Sequence, residues 1–200
     1  MSPTLNGLEE EQAGTVVDFG IMDTHQSALK NIKRFSIVST YFPYEEDYDL
    51  VTGKLKPGAK QKIKRVIALP GETFKIEQSR LYVLQNNEFN YIPYTFQINE
   101  KKGHSKDVPP IKLKDDEYWV LGDNRDNSKD SGYLNKAVTK DNLIGVLVAI
   151  EGKAKLKIDH YICPACGKIY KNNGVCSEDL NYLEPEYDLV NKQYRWPKYF

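Results

Sequence analysis

Gly122-Asp123-Asn124-Arg125-Asp126-Asn127-Ser128-Lys129-Asp130-Ser131 carries no aliphatic or aromatic side chain. It lies between two apolar runs, Tyr118-Trp119-Val120-Leu121 and Leu143-Ile144-Gly145-Val146-Leu147-Val148. Apolar runs of this kind read as core strands. A polar connection between core strands has to satisfy its own hydrogen bonds, and Asn and Asp do so by bonding nearby backbone N–H groups. The loop is therefore predicted to be stiff, and stiff polar loops on a strand scaffold are where reactive groups are held. On composition alone, an ordinary long turn is the simpler reading.

A second segment changes the balance. Ile63-Lys64-Arg65-Val66-Ile67-Ala68-Leu69-Pro70-Gly71-Glu72 reads as a strand closed by a turn. With a period of two, Lys64, Val66 and Ala68 share one face, and Ile63, Arg65 and Ile67 the other. Leu69-Pro70-Gly71-Glu72 has proline second and glycine third, the pattern of a type II turn. A lysine held against apolar surface loses hydration, so its pKa falls and the neutral amine becomes available as a base. From this strand alone, a solvated lysine is again the simpler reading.

Together the two segments are far more specific. Lys-Arg-Val-Ile-x-Leu-Pro-Gly-Glu at 64–72, followed by Gly-Asp-Asn-Arg-Asp-Asn-Ser-x-Asp-Ser at 122–131, resembles the bacterial type I signal peptidases. Met1-Ser2-Pro3-Thr4-Leu5 looks like that family's Ser-Met-x-Pro-Thr-Leu box. Arg34-Phe35-Ser36-Ile37-Val38 stands where the family has Arg-Gly-Asp-Ile-Val, a partial match because Phe35-Ser36 replaces Gly-Asp. The resemblance covers roughly residues 1–150. It implies a membrane-anchored serine endopeptidase that removes signal peptides with a Ser/Lys dyad. Lys64 takes the place of the dyad base, and Ser128 that of the hydroxyl bonded to it. Asp130, Arg65, Asp123 and Arg125 take supporting positions. The arginine that usually pairs with the Asp130 position is Gly132 here, so Arg125 or Lys129 is expected to brace the loop instead.

The family's nucleophilic serine aligns immediately before Met1, and Ser2 falls on its variable position. The chain as written is therefore expected to be inactive, lacking nucleophile, oxyanion donors and anchor helix. Such donors commonly contribute about 10²–10³-fold in rate. The resemblance implies extended signal peptides of exported pre-proteins as substrates, with small residues, typically Ala-x-Ala, before the cut. It also implies the plasma membrane surface as a partner, with the catalytic domain on its extracytoplasmic face. No cofactor is implied for catalysis. Other readings stay open. One is a non-catalytic homologue that binds exported peptides or partner proteins. Another has Ser2 as an N-terminal nucleophile once Met1 is removed, against which Pro3 and Lys64 argue. Self-cleaving repressor-type proteases also use Ser/Lys dyads but lack the Gly-Asp-Asn-Arg-Asp loop.

Composition agrees with a β protein. Twenty-eight basic and 28 acidic side chains cancel, which gives no reason to expect nucleic acid as a partner. Fourteen tyrosines and seven phenylalanines favour strands. No apolar run approaches the ~20 residues of a membrane helix, and no signal peptide is present. The expected fold is mainly β: a signal-peptidase-like antiparallel β catalytic core (1–84 and 111–152), a small inserted β-subdomain or loop (85–110), and a short Cys-containing C-terminal extension (153–200). Within it, residues 21–34 hold a short helix, Phe35–Phe42 a strand, and Thr73–Ile76 with Arg80–Leu84 a hairpin. His25, His104 and His160 fall outside the matching boxes and read as surface residues. No internal repeat is expected.

Cys163-Pro164-Ala165-Cys166-Gly167 is a Cys-x-x-Cys knuckle, followed by Cys176. Structural zinc uses such knuckles, although a complete ribbon needs a second pair. Cys176-Ser177-Glu178-Asp179 places Asp179 where a fourth cysteine would be, and His160 is another candidate fourth ligand. A Cys163–Cys166 disulfide, or no special role for these cysteines, are the alternatives.

Overall fold

A computed structural model describes residues 15–42, 48–49, 51–52, 54–56, 59, 61–99 and 107–199. The boxes around Met1–Leu5, together with His104, lie outside the described residues. Among those described, twelve strands, two short α-helices and two single-turn 3-10 helices (Arg125–Asn127 and Lys140–Asn142) follow along the chain. The first strands are β1 (Val16–Asp23), β2 (Ile37–Thr40) and β3 (Lys62–Ala68), with α1 (Gln26–Lys30) before β2. Next come β4 (Thr73–Glu77), β5 (Arg80–Gln85), β6 (Glu88–Ile92), β7 (Val108–Lys112) and β8 (Glu117–Leu121). The helix α2 (Ser131–Leu134), β9 (Val138–Thr139), β10 (Leu143–Ile162), β11 (Ile169–Tyr170) and β12 (Glu184–Tyr199) complete the chain. Every strand pairing is antiparallel.

The main sheet runs β1-β10-β2-β3-β8-β9, with β11 and β12 also paired to β10. A second sheet runs β6-β5-β4-β7. Sheet membership thus takes in residues on both sides of 85–110, from Thr73 to Lys112. The hairpin of β4 and β5 forms in this second sheet rather than in the main one. β10 crosses residue 152 without a break, so the C-terminal extension grows directly out of a core strand.

β8 shows why two cores form. Its side chains alternate, Trp119 and Leu121 entering one cluster with Phe74, Leu81 and Leu113, and Tyr118 and Val120 another with Val38, Phe42 and Val66. The first cluster packs the second sheet onto the main one. β3 follows the expected alternation only as far as Val66. Its register against β8 shifts between Val66 and Ala68, a bulge that sends both Ile67 and Ala68 into the Trp119 cluster. Ala68 therefore leaves the Lys64 face, a correction to the simple period of two.

The turn after β3 forms as its sequence predicts. Gly71 has φ +74°, and the Glu72 N–H donates to the Leu69 carbonyl at 3.2 Å. The Glu72 carboxylate doubles the closure by accepting the Leu69 N–H at 2.7 Å and pairing with Arg34.

Candidate functional site

Two neighbouring residues of β3 reach the polar loop after β8. The Lys64 Nζ donates to the Ser128 Oγ at 3.2 Å. Burial pushes the Lys64 pKa below its usual value; the negative charge of Asp130 opposes the shift but is the smaller effect. Lys64 is thus a lysine poised to lose its proton more readily than one in water.

Arg65 points the other way and anchors the loop. Its Nε donates to the Asp123 Oδ1 at 2.9 Å and its Nη2 to Oδ2 at 2.7 Å. Its Nη1 donates to the Phe35 carbonyl at 2.8 Å, and its guanidinium lies 4.0 Å from the centre of the Phe96 ring. The two-pronged geometry, with aromatic and carbonyl partners on the remaining surface, makes burial of this ion pair tolerable.

Asp130 braces the loop through backbone donors rather than an ion pair with Arg125. Its Oδ2 accepts the Gly122 N–H at 2.9 Å, and its Oδ1 accepts those of Gly132 and Tyr133 at 3.0 and 3.2 Å. It is the N-cap of α2 and fastens the two ends of the loop together. With three N–H donors converging on one carboxylate, a side chain at Gly132 is not needed. Arg125 contributes separately, its Nε donating to the Gly122 carbonyl at 2.9 Å.

Four further residues build the site without having stood out as site residues. A Cβ on Gly122 would lie 2.2 Å from the Ser128 Oγ, so only glycine lets that hydroxyl reach its place. The buried Ser131 accepts the Val120 N–H at 3.1 Å. Asn99, from the segment before β7, donates its N–H to the Asp123 carbonyl and accepts that of Arg125, both at 2.8 Å. Phe35 has φ +70°, a conformation that glycine adopts freely. Its ring packs on Tyr94 and Phe96 at 5.9 and 5.3 Å, which holds a non-glycine residue where the resemblance expects glycine. Gly122 and Ser131 belong to the motif at 122–131 and Phe35 to the partly matching box at 34–38, whereas no sequence signal pointed to Asn99. A cleft of about 360 Å³ opens beside Ser128, walled by Ile76, Val108 and Leu121.

The three cysteines lie at the far end of β10 and are all free. Ligand atoms of Cys163, Cys166, Cys176 and Asp179 all lie within 4.8 Å of one another. His160 is not among them, and its Nδ1 faces the Asp159 carboxylate at 2.8 Å. His25 is exposed and bonded to Asp23, as a surface residue would be.

Comparison with known proteins gives the same family as the loop and strand. The family described as "Signal peptidase, peptidase S26" matches residues 4–150. The chain belongs to this family. Signal peptidase I P of Bacillus subtilis subsp. natto is 31% identical over 133 residues, covering 62% of this chain and 70% of that protein. Signal peptidase I of Bacillus amyloliquefaciens is 37% identical over 89 residues, 42% of this chain and 46% of that one. Probable signal peptidase I-2 of Synechocystis sp. is 39% identical over 88 residues, with 34% of its length covered. This chain thus spans about half or less of two of these three relatives. A crystal structure of a signal peptidase I from Enterococcus faecalis V583 aligns with TM-score 0.42 at 24% identity, covering 58% of this chain and 97% of that one.

Proposed function

We propose that this chain is the catalytic part of a type I signal peptidase, a serine endopeptidase cutting signal peptides from exported pre-proteins after small residues. The observation that carries the reading is the partly buried Lys64, with its pKa lowered, bonded to Ser128. In this reading the nucleophile is a serine at the position immediately before Met1, where the family's box carries it. The neutral Lys64 amine takes the serine proton as the hydroxyl attacks the scissile carbonyl, and an acyl-enzyme forms. The protonated lysine then returns its proton to the leaving amine. Once neutral again, Lys64 activates the water that releases the acyl group. Ser128 orients the amine throughout, and Asp130, Asp123, Arg65 and Arg125 hold Ser128 in place.

An Ala-x-Ala preference follows from an extended substrate paired along a sheet edge, where alternate side chains face the enzyme. The working location is the extracytoplasmic face of the plasma membrane, where exported pre-proteins emerge. Among the described residues no helix is long and apolar enough to cross a membrane. Catalysis in this scheme uses no cofactor. The Cys163, Cys166 and Cys176 cluster serves as a structural zinc site in the C-terminal extension.

The test joins a Ser-containing box ahead of Met1 and measures cleavage of an Ala-x-Ala peptide. Cleavage is expected with the box, none without it, and none when Lys64→Ala is added. Activity that survives Lys64→Ala sinks the dyad; binding of the peptide without any cleavage by the extended chain favours a non-catalytic homologue.

A further inference from the structure

The end of β10 and the start of β12 are joined by two loops that repeat one another at an offset of 13 residues, Cys163 matching Cys176 and Cys166 matching Asp179. In the first loop the Gly167 N–H donates to the Cys163 carbonyl at 2.8 Å, and the Cys163 N–H to the Lys168 carbonyl at 2.9 Å. In the second, the Leu180 N–H donates to the Cys176 carbonyl at 3.1 Å, and the Cys176 N–H to the Asn181 carbonyl at 2.8 Å. Each bond recurs 13 residues on. So does the strand pairing that flanks it, Ile162 with Ile169 and Val175 with Tyr182. So does the left-handed residue, Gly167 at φ +76° and Leu180 at φ +59°. Cysteine is the one residue type these two loops share at matching positions, so the repeat is one of backbone hydrogen bonds and not of sequence.

The second copy is therefore a knuckle in backbone form, with a carboxylate where the first has a thiol. We infer that Asp179 is the fourth ligand of a closed Cys3Asp metal site for zinc or a similar thiophilic divalent ion. This rests on the structural zinc reading of the three cysteines and is independent of the peptidase reading. The geometry is close to what an ion requires. Tetrahedral zinc with Zn–S near 2.3 Å and Zn–O near 2.1 Å puts sulfurs about 3.8 Å apart and sulfur and oxygen about 3.6 Å apart. The Cys166 and Cys176 sulfurs are 3.6 Å apart, and the Cys163 sulfur lies 3.1 and 3.3 Å from the Asp179 oxygens. An ion entering this space displaces the thiol protons, and with all four ligand atoms within 4.8 Å of one another the widest pairs need close by only about 1 Å.

The surroundings orient the ligands. The Tyr170 hydroxyl donates to the Cys176 sulfur at 3.2 Å, and the Asn181 N–H to the Asp179 Oδ1 at 3.1 Å. Lys168 and Glu178 pair across the two knuckles at 2.9 Å. The extension also needs a staple. Among the described residues its buried cluster holds Cys163, Cys176 and Leu183, with Tyr161 and Tyr170 partly buried against it, far too little to order two loops by itself. Leu180 adds to the demand: it holds a left-handed backbone while 77% exposed, with little packing to reward the strain. Ligation by the preceding Asp179 supplies the missing constraint. With four protein ligands the ion has no open position, so its role is to pin the β10–β12 hairpin.

The experiment measures metal content and zinc affinity, by chelator competition, on the full chain purified under reducing, zinc-replete conditions. One ion per chain is expected, with affinity falling about tenfold or more in Asp179→Asn and unchanged in His160→Ala. Asp179→Cys is expected to retain the ion and, with cobalt as probe, to raise the sulfur-to-cobalt absorption by about one third, from three thiolates to four. Wild-type protein without metal overturns the zinc site itself. Metal that is bound as tightly in Asp179→Asn, or is lost in His160→Ala, overturns the Asp179 assignment and leaves the zinc site standing.

Discussion

Replacing Asp123 with alanine tests how the polar loop is held to the strand that carries Lys64. The Arg65 and Asp123 side chains are 5% and 1% exposed and share two hydrogen bonds of 2.9 and 2.7 Å. Alanine removes the charge partner and both acceptors, leaving the guanidinium buried with the Phe35 carbonyl and the Phe96 face. Stranding one member of such a pair costs about 3–5 kcal/mol. For a chain of this size each kcal/mol is worth about 2–4 °C, so the melting temperature should fall by roughly 6–20 °C. A pair exposed on the surface contributes about 0–1 kcal/mol, which caps its effect near 4 °C. Thermal unfolding followed by circular dichroism separates the two cases. The cost lies in the stranded charge, so Arg65→Met with Asp123→Leu should recover most of the loss. A fall below about 4 °C in Asp123→Ala, or a double variant no better than the single ones, refutes the reasoning.

Three other outcomes follow from the same geometry. Gly122→Ala puts a methyl group 2.2 Å from the Ser128 Oγ. It should cost about 1–3 kcal/mol and depress cleavage by the serine-supplied enzyme; unaltered cleavage argues against a role for Ser128. Asp130→Ala leaves the Gly122, Gly132 and Tyr133 N–H groups without their acceptor. A loss of about 2–4 kcal/mol in urea unfolding is expected, and less than 1 kcal/mol would show that the cap does not hold the loop. The lowered Lys64 pKa means that, between its folded value and 10.5, the unfolded chain binds the proton and the folded chain does not. Wild-type stability should therefore rise relative to Lys64→Met as pH increases through that window, and a difference that stays flat contradicts a depressed lysine. Cleavage should likewise switch on with rising pH at an apparent pKa below 10.5.

Features set by neighbouring residues were legible in the sequence. Pro70-Gly71 dictates its turn because proline limits φ and glycine accepts a positive one, and Gly71 indeed sits at +74°. The apolar run of β8, the β4–β5 hairpin and the first cysteine knuckle are local patterns of the same sort. The juxtaposition of Lys64 with Ser128 was reachable only because two distant motifs resemble one family, since 64 residues separate them.

What the tertiary structure alone decided depends on register between distant segments. The bulge at Ile67 moves Ala68 across the sheet, and the repeat of residue types carries no mark of it. Asn99 clamps the loop at Asp123 and Arg125 from a segment whose composition looks like any surface loop. That Asp130 in particular gathers three backbone N–H groups, beside the Arg125 bond to the Gly122 carbonyl, depends on how the loop closes; the Asx-rich sequence promises only that such bonds form. The second knuckle is the sharpest case. Spacing alone offers both Asp179 and His160 as fourth ligand; the fold decides between them by repeating the first knuckle's backbone hydrogen bonds around Asp179 and setting His160 against Asp159.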